Sequence, residues 1–436
     1  MSAFRNGITP RMKPIGRRSS VVAALDIGSS KIACIIARLK PERGLEMPHG
    51  RSHSVEVIGF GHTRAHGIKA GAVVEIERAE ASIRRAVDLA ERSAKVEIAS
   101  VIVAVSGGRL SSESFAASVR VPGMNVESAD IARVLEAASL HSVREGRAVL
   151  HSLPVGYGID DMTGIRDPRG MVGETLRVDL HVATADQVAL RNLILCIERC
   201  HLTVEGLVAA PYAAGLSVLT DDEMEFGTTV LDFGAGTTTV AAFLGGDCVH
   251  MDGIAVGGNN VTIDLARGLG TSGGDAERVK TLHGDVIEGS ADHTDLIMVP
   301  SAGNVARERN EGSRAHVIRI ARARIDEILE MLCEGMASAN ILDLTGRKLV
   351  LTGGGSRLGG LSELASRIFG ASVRIAAPRA IAGLNAAASG PDFAVATGLA
   401  VYPQYAGREH FEPRRRMAVQ DGNYFQRMQR WIASSF

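Results

Sequence analysis

Aromatic side chains are scarce in this 436-residue chain. They make up 4% of it, with 11 Phe, 5 Tyr and a single Trp, Trp431, close to the carboxy terminus. A core must therefore close mainly with aliphatic and small residues, for which the 45% hydrophobic content is ample. An excess of charge of either sign is also missing. Lys+Arg 48 against Asp+Glu 49 leaves a formal net charge of −1, which excludes a globally basic nucleic-acid binder and confines charge-driven function to local patches. Cysteine is sparse: Cys34, Cys196, Cys200, Cys248 and Cys333 form no Cys-x-x-Cys pair, so neither a zinc site nor a disulfide framework is expected. Cys196 and Cys200, four apart in a helical pattern, read as two small core residues. The most apolar long stretch, 380–402, carries Asp392 as its sole charge but is broken by Gly383, Asn385, Gly390 and Pro391. It reads as a loop and a buried helix rather than a membrane span. No apolar leader segment follows the basic residues Arg5, Arg11, Lys13, Arg17 and Arg18, and residues 1–20 are expected to form a basic, flexible tail. The absence of any Gly-Lys dipeptide excludes a G-x-x-x-x-G-K-[ST] phosphate loop. Thr239 occupies the place where a dinucleotide fingerprint would need a third glycine after Gly234 and Gly236. The 13 histidines are scattered, with no paired-His metal site and no Ser/His/Asp triad.

What is present is a repeat. Residues 21–33 and 229–241 share one grammar: an apolar strand, then Leu-Asp-x-Gly with small hydroxyl residues, then a second β-prone run. A third glycine cluster, Gly353-Gly354-Gly355, follows another apolar strand. Strands and helices alternate between these points, which predicts an α/β protein with a duplicated core. A helix is expected over Ile76 to Ala94, and another from Val317. The alternation of Leu176, Val178, Leu180 and Val182 predicts a strand, with Thr184 and Gln187 capping the helix that follows. Residues 100–185 exceed what one βαβ unit needs and read as an inserted subdomain. Residues 286–313 read as an exposed loop or hairpin.

A hairpin that opens Asp-x-Gly brings backbone amides, hydroxyls and a carboxylate to one turn. The first two suit phosphate oxygens, and the carboxylate suits hydrated Mg2+. Asp26, Gly28, Ser29, Ser30 and Lys31 form one such hairpin. Asp232, Gly234, Gly236, Thr237 and Thr238 form the other. Two of them facing each other would grip a triphosphate from both sides, with Asp26 and Asp232 holding the metal through water.

The chain ends on a second informative segment. On a helix of about 100° per residue, Tyr424, Phe425, Met428, Trp431, Ile432 and Phe436 fall within an arc of about 140°. Arg427 borders that arc and Arg430 lies opposite. Such a helix suits the interface of an anionic membrane, where one copy binds weakly and self-association multiplies the affinity.

Together these residues resemble the FtsA family of bacterial cell-division proteins, within the actin-like ATPase superfamily. The likeness spans nearly the whole chain and includes residues 206–216, 254–264, 275–280 and 396–402 as well as the terminal Trp-containing helix. It implies an actin-like, ribonuclease H-like duplicated fold that binds ATP and Mg2+ between two halves. Subdomain 1A would span 21–99 and 186–225. The small α/β subdomain 1C would span 100–185, 2A would span 226–275, 2B would span 276–335, and a closing segment 336–403. A linker (404–421) and an amphipathic helix (422–436) would follow. By the same likeness Gly257, Gly258 and Asn259 would belong to the nucleotide site, Glu277 and Lys280 would contact the ribose and base side, and Gly353, Gly354, Gly355 and Ser356 would back the adenosine. The family commonly has Gly-Thr-x-Asp in the second loop. Here Gly236 is followed by Thr237, Thr238 and Thr239, which implies at most slow ATP hydrolysis.

The resemblance further implies a protein that polymerises and tethers the ring protein FtsZ, through its carboxy-terminal peptide, to the inner face of the cytoplasmic membrane. Subdomain 2B would bind that peptide, with Arg319 and Arg322 assisting, and 1C would meet later division proteins and the neighbouring protomer. Two alternatives stay open at this point: a type IV pilus assembly adaptor and a small-molecule kinase of the same superfamily. A kinase would need a general-base carboxylate beside its acceptor.

Overall fold

The strand Ser20–Ile27 buries Val22, Ala23, Ala24 and Leu25 in succession, the signature of a strand covered on both faces. It belongs to a computed structural model that describes residues 9–16, 18–42, 51–123, 125–139, 143–300 and 309–410. The strand pairs antiparallel with Lys31–Pro41, which pairs antiparallel with His53–Arg64. On its other side it pairs in parallel with Ser100–Val105, and that strand with Thr203–Ala209. The second half repeats the plan. Thr228–Phe233 is antiparallel to Thr238–Leu244, which is antiparallel to Asp247–Ile254. Thr228–Phe233 is also parallel to Lys348–Thr352, and that strand to Ser372–Ile375. Five strands in the same order and the same directions in each half bear out the duplicated α/β core that the repeated Leu-Asp-x-Gly predicts.

The described residues divide into two compact units. The larger consists of Met1–Phe115, Val143–Val155 and Leu180–Glu409, and holds both five-stranded arrangements. The smaller includes Ala116–Ser142 and Gly156–Asp179. It carries the helix Ser128–Ser139, the short strand Met162–Ile165 and lengths of the strands Ser111–Arg120, Arg147–Ile159 and Thr175–Asp186. Within it the Asp160 carboxylate accepts the amides of Glu174 and Thr175. The alternating residues Leu176, Val178, Leu180 and Val182 are all buried, as their period-2 spacing requires.

Two helices of small residues cross at the centre of the larger unit. Every residue of Ala210–Val218 and of Ala394–Val401 is buried. A Cβ on Gly398 would fall on the Ala213 carbonyl oxygen, so the crossing is as close as two backbones allow. The helix Ile76–Ala94 has the predicted limits and buries Ile83 and Val87. The segment 286–313 contains a hairpin of Leu296–Pro300 with Arg309–Ser313, followed by the helix Arg314–Ser338.

Four sequence expectations are corrected. Ser100–Val105 is a central strand of the first sheet, so the insertion starts after it; its apolar run marks a strand but cannot show which sheet it joins. The helix Gln187–Glu198 is capped by Asp186, whose Oδ1 accepts the Ala189 amide at 2.9 Å, while Thr184 Oγ1 accepts Arg147 Nε. The amino-terminal residues from Thr9 onward are not a free tail. Thr9 is buried and donates to the Val149 carbonyl, and Met12 and Ile15 pack on the core. Residues 404–409 likewise belong to the body rather than to a linker, for Tyr405 is buried and Gln404 Oε1 accepts the Ser52 and His53 amides.

Glu409 closes this segment with a buried carboxylate. Its Oε1 accepts the Tyr402 hydroxyl at 2.7 Å and lies 2.9 Å from His151 Nδ1. His151 Nε2 accepts the Ala209 amide at 2.8 Å, so the ring proton sits on Nδ1 and is donated to Glu409. The membrane-helix residues Tyr424 to Phe436 lie outside the described residues. Among the described residues no helix is long and apolar enough to cross a membrane.

Candidate functional site

The first strand of each half ends in an aspartate and a tight turn of one geometry. Gly28 N–H donates to the Lys31 carbonyl at 3.0 Å, and Gly234 N–H donates to the Thr237 carbonyl at 2.9 Å. Lys31 and Thr237 thus hold matching places in the two hairpins. The turns touch, since a Cβ on Gly236 would collide with Ser29 Oγ, an atom that also accepts the Gly71 amide. The second hairpin is buttressed from behind by the start of the helix Gly258–Gly268, whose Gly258 and Asn259 amides donate to the carbonyls of Gly234 and Ala235. At Gly353, φ is +82° and a Cβ would lie 2.5 Å from Asp232 Oδ1. Glycine is required there because an L side chain would be strained and would also displace the carboxylate.

These elements enclose a cavity of about 370 Å3. Asp26, Gly28, Ser29, Ser30 and Lys31 line one side, and Asp232, Gly234, Gly236 and Thr237 the other. Gly258, Asn259, Glu277, Lys280 and the three glycines Gly353 to Gly355 also line it, as expected from the sequence. Three expected residues do not line it. Thr238 Oγ1 turns away to donate to the Val256 carbonyl, Ser356 Oγ donates to the Gly353 carbonyl, and Gly257 sits behind the second hairpin. They support the loops instead. Lys280 Nζ donates to Glu277 Oε2, Thr262 Oγ1 and the Gly258 carbonyl, tying the helix Gly273–His283 to the helix Gly258–Gly268. Sequence reasoning missed Arg357, Leu358 and the site role of Asp392. Its position as the lone charge in an apolar stretch was the available signal.

The two carboxylates lie at the floor of the cavity, Asp232 buried and Asp26 partly so. Burial pushes the Asp26 carboxyl up to about 6, against the pull of Lys31. Burial, reinforced by the charge of Asp26, pushes Asp232 up to about 7. A divalent cation between the hairpins would offset this cost, so the donor set fits hydrated Mg2+ with Asp26 and Asp232 as its holders. The linkage has a definite sign. Each carboxyl binds its proton more tightly folded than unfolded, so the stability it lends is full below about pH 4 and is lost as pH rises towards about 7. The ligand-free protein should therefore lose Tm between about pH 4 and pH 7, and Asp232→Asn should flatten that slope. Thermal melts across this range check it; parallel profiles for the two proteins would refute it.

Two Asp-x-Gly hairpins meeting on duplicated five-stranded sheets define the actin-like ATPase fold. The fold is shared with the solved PilM-PilN type IV pilus biogenesis complex, at TM-score 0.58 and 19% identity over 88% of this chain and 98% of that one. It is shared too with MreB5 of Spiroplasma citri bound to ADP, at TM-score 0.52 and 14% identity over 88% and 96%. Within that class the sequence is more specific. The family profile "Cell division protein FtsA" matches residues 229–398, and "SHS2 domain inserted in FTSA" matches residues 107–184. A cell division protein FtsA of Agrobacterium fabrum (strain C58) is 47% identical over 432 residues, covering 98% of both chains. The chain belongs to the FtsA family of cell division proteins, and its role is that of an actin-like protein in cell division.

Proposed function

We propose that this protein binds MgATP between its two hairpins, polymerises, and tethers the FtsZ ring to the inner face of the cytoplasmic membrane. The observation that carries this reading is the pair of matched hairpins facing one cavity in a chain of the FtsA family. When bound, magnesium would neutralise phosphate charge beside Asp26 and Asp232. Backbone amides of the two turns, with Ser29, Ser30 and Thr237, would hold the phosphates. Lys31 would supply the cation of the first loop, and Glu277 with Lys280 would border the ribose and base. Nucleotide binding would draw the halves together about the crossed helices and favour head-to-tail assembly, and assembly would present many terminal helices to anionic lipid.

The FtsZ carboxy-terminal peptide would dock on the 2B elements. Arg319 is exposed on the helix Arg314–Ser338, whereas Arg322 is engaged with Asp326 and the Val286 carbonyl, so Arg319 is the more available partner. Leu296 and Met298, 58% and 52% exposed, add apolar surface on the neighbouring hairpin. The inserted domain would serve contacts with later division proteins and the next protomer.

Sedimentation with anionic liposomes tests the membrane anchor. Full-length protein with MgATP should co-sediment, and protein truncated after Gln420, or bearing Phe425→Glu with Trp431→Glu, should stay in solution. Unchanged sedimentation of the truncated protein would overturn the membrane anchor.

A further inference from the structure

Asp392 sits in the wall of the cavity on the short turn Pro391–Phe393. The Pro391 carbonyl accepts the Gly353 amide at 3.1 Å and the Thr352 hydroxyl at 3.2 Å, which fixes the turn to the glycine loop of the second half. From there the carboxylate reaches two cations. Its Oδ2 takes Lys31 Nζ at 2.6 Å and its Oδ1 takes Arg357 Nη2 at 2.7 Å. Lys31 also donates to the Asp392 carbonyl, and its ammonium lies 3.5 Å from the Phe393 ring centroid. The charge of the first hairpin is thus committed to a residue 361 positions away in the chain.

That commitment matters because of what surrounds it. Asp26 and Asp232 already place two carboxylates at the hairpins, and Glu277 is matched by Lys280. A polyphosphate would bring more negative charge, and Lys31 is the cation its hairpin can offer. The pair is also breakable. The two side chains are 21% and 25% exposed, so solvent screens their attraction. If Lys31 turned away, Arg357 would still hold the far oxygen of Asp392, so the carboxylate would not be stranded. Burial lowers the Lys31 ammonium while Asp392 pulls it back up; burial raises Asp392, but Lys31 and Arg357 outweigh it and hold the carboxyl below its usual range.

We propose that the Asp392 carboxylate is an intramolecular competitor for the anionic ligand of the first hairpin. It holds Lys31 Nζ and yields it to a nucleotide phosphate, so the strength of this ion pair sets how tightly nucleotide is retained. The proposal rests on the nucleotide reading above and adds a regulating residue to it.

Calorimetric titration of the full chain with ADP and with adenosine tests it. Asp392→Asn, which keeps the shape of the side chain, and Asp392→Ser should each bind ADP about tenfold more tightly than wild type, about 1.4 kcal/mol, with adenosine affinity unchanged. In a Lys31→Met background the same substitutions should gain little, since the contested cation is gone. A further readout needs no ligand: acetic anhydride should modify Lys31 several-fold faster in Asp392→Asn than in wild type, by mass spectrometry. Unchanged or weaker ADP binding, an equal gain in both backgrounds, or unchanged Lys31 reactivity would overturn the competitor. Wild-type protein that fails to bind ADP would defeat the nucleotide reading itself, and the competitor with it.

Discussion

Gly398→Leu should destabilise the protein by about 3 kcal/mol or more, enough to leave little of it folded on warming. The helix that carries Gly398 has no exposed residue, and neither has its partner Ala210–Val218. A side chain at 398 would start on the Ala213 carbonyl oxygen, which is backbone and cannot rotate aside. The helices would have to part, opening voids along both and disturbing the strands packed against them. Gly273→Ala serves as the control. Nothing lies within 4 Å of a Cβ there, and the residue begins the helix Gly273–His283, so alanine should be neutral or stabilising by up to about 1 kcal/mol. Urea denaturation of the two variants checks this, and similar midpoints would show that the crossing is looser than the structure has it.

For Asp232→Ala two measurements should move in opposite directions. Affinity for MgATP should fall about 100-fold or more, because one of the two carboxylates that hold the cation is lost. Stability without nucleotide should rise near pH 8, because the residue removed is a buried carboxyl raised to about 7 by burial and by Asp26. Calorimetry reads the first effect and thermal melts the second. A general folding defect would lower both, and an incidental surface role would leave both unmoved, so the opposed signs identify a residue kept for binding at the expense of stability.

The parts of the site that were legible in the sequence are local ones. Asp26 to Lys31 and Asp232 to Thr237 each make a complete hairpin within six residues, and the need for glycine at those turns leaves a mark in the sequence. The duplicated sheets were legible for the same reason, since each half opens on the same strand and turn. What escaped depends on distance. Lys31 and Asp392 meet only once both halves are folded, and nothing at either position names the other. Thr238 and Ser356 look like ligands in sequence, but strand pairing turns one away from the cavity and a local turn occupies the other. The stretch from Gln404 to Glu409 reads as linker in sequence because its polar residues pass for solvated ones. Burial of Glu409 shows only when His151 and Tyr402 are placed around it.

That buried carboxylate gives the molecule a load path. Whatever the chain beyond Glu409 attaches to, a pull along it reaches a side chain only 1% exposed. Its holders are Tyr402, next to the end of the helix Ala394–Val401, and His151, which grips the amide of Ala209 just before the helix Ala210–Val218. Tension at the tail is therefore delivered to the roots of the two crossed helices. A tail rooted on a surface loop would dissipate such a force, whereas a root at Glu409 would pass it to the centre of the larger unit.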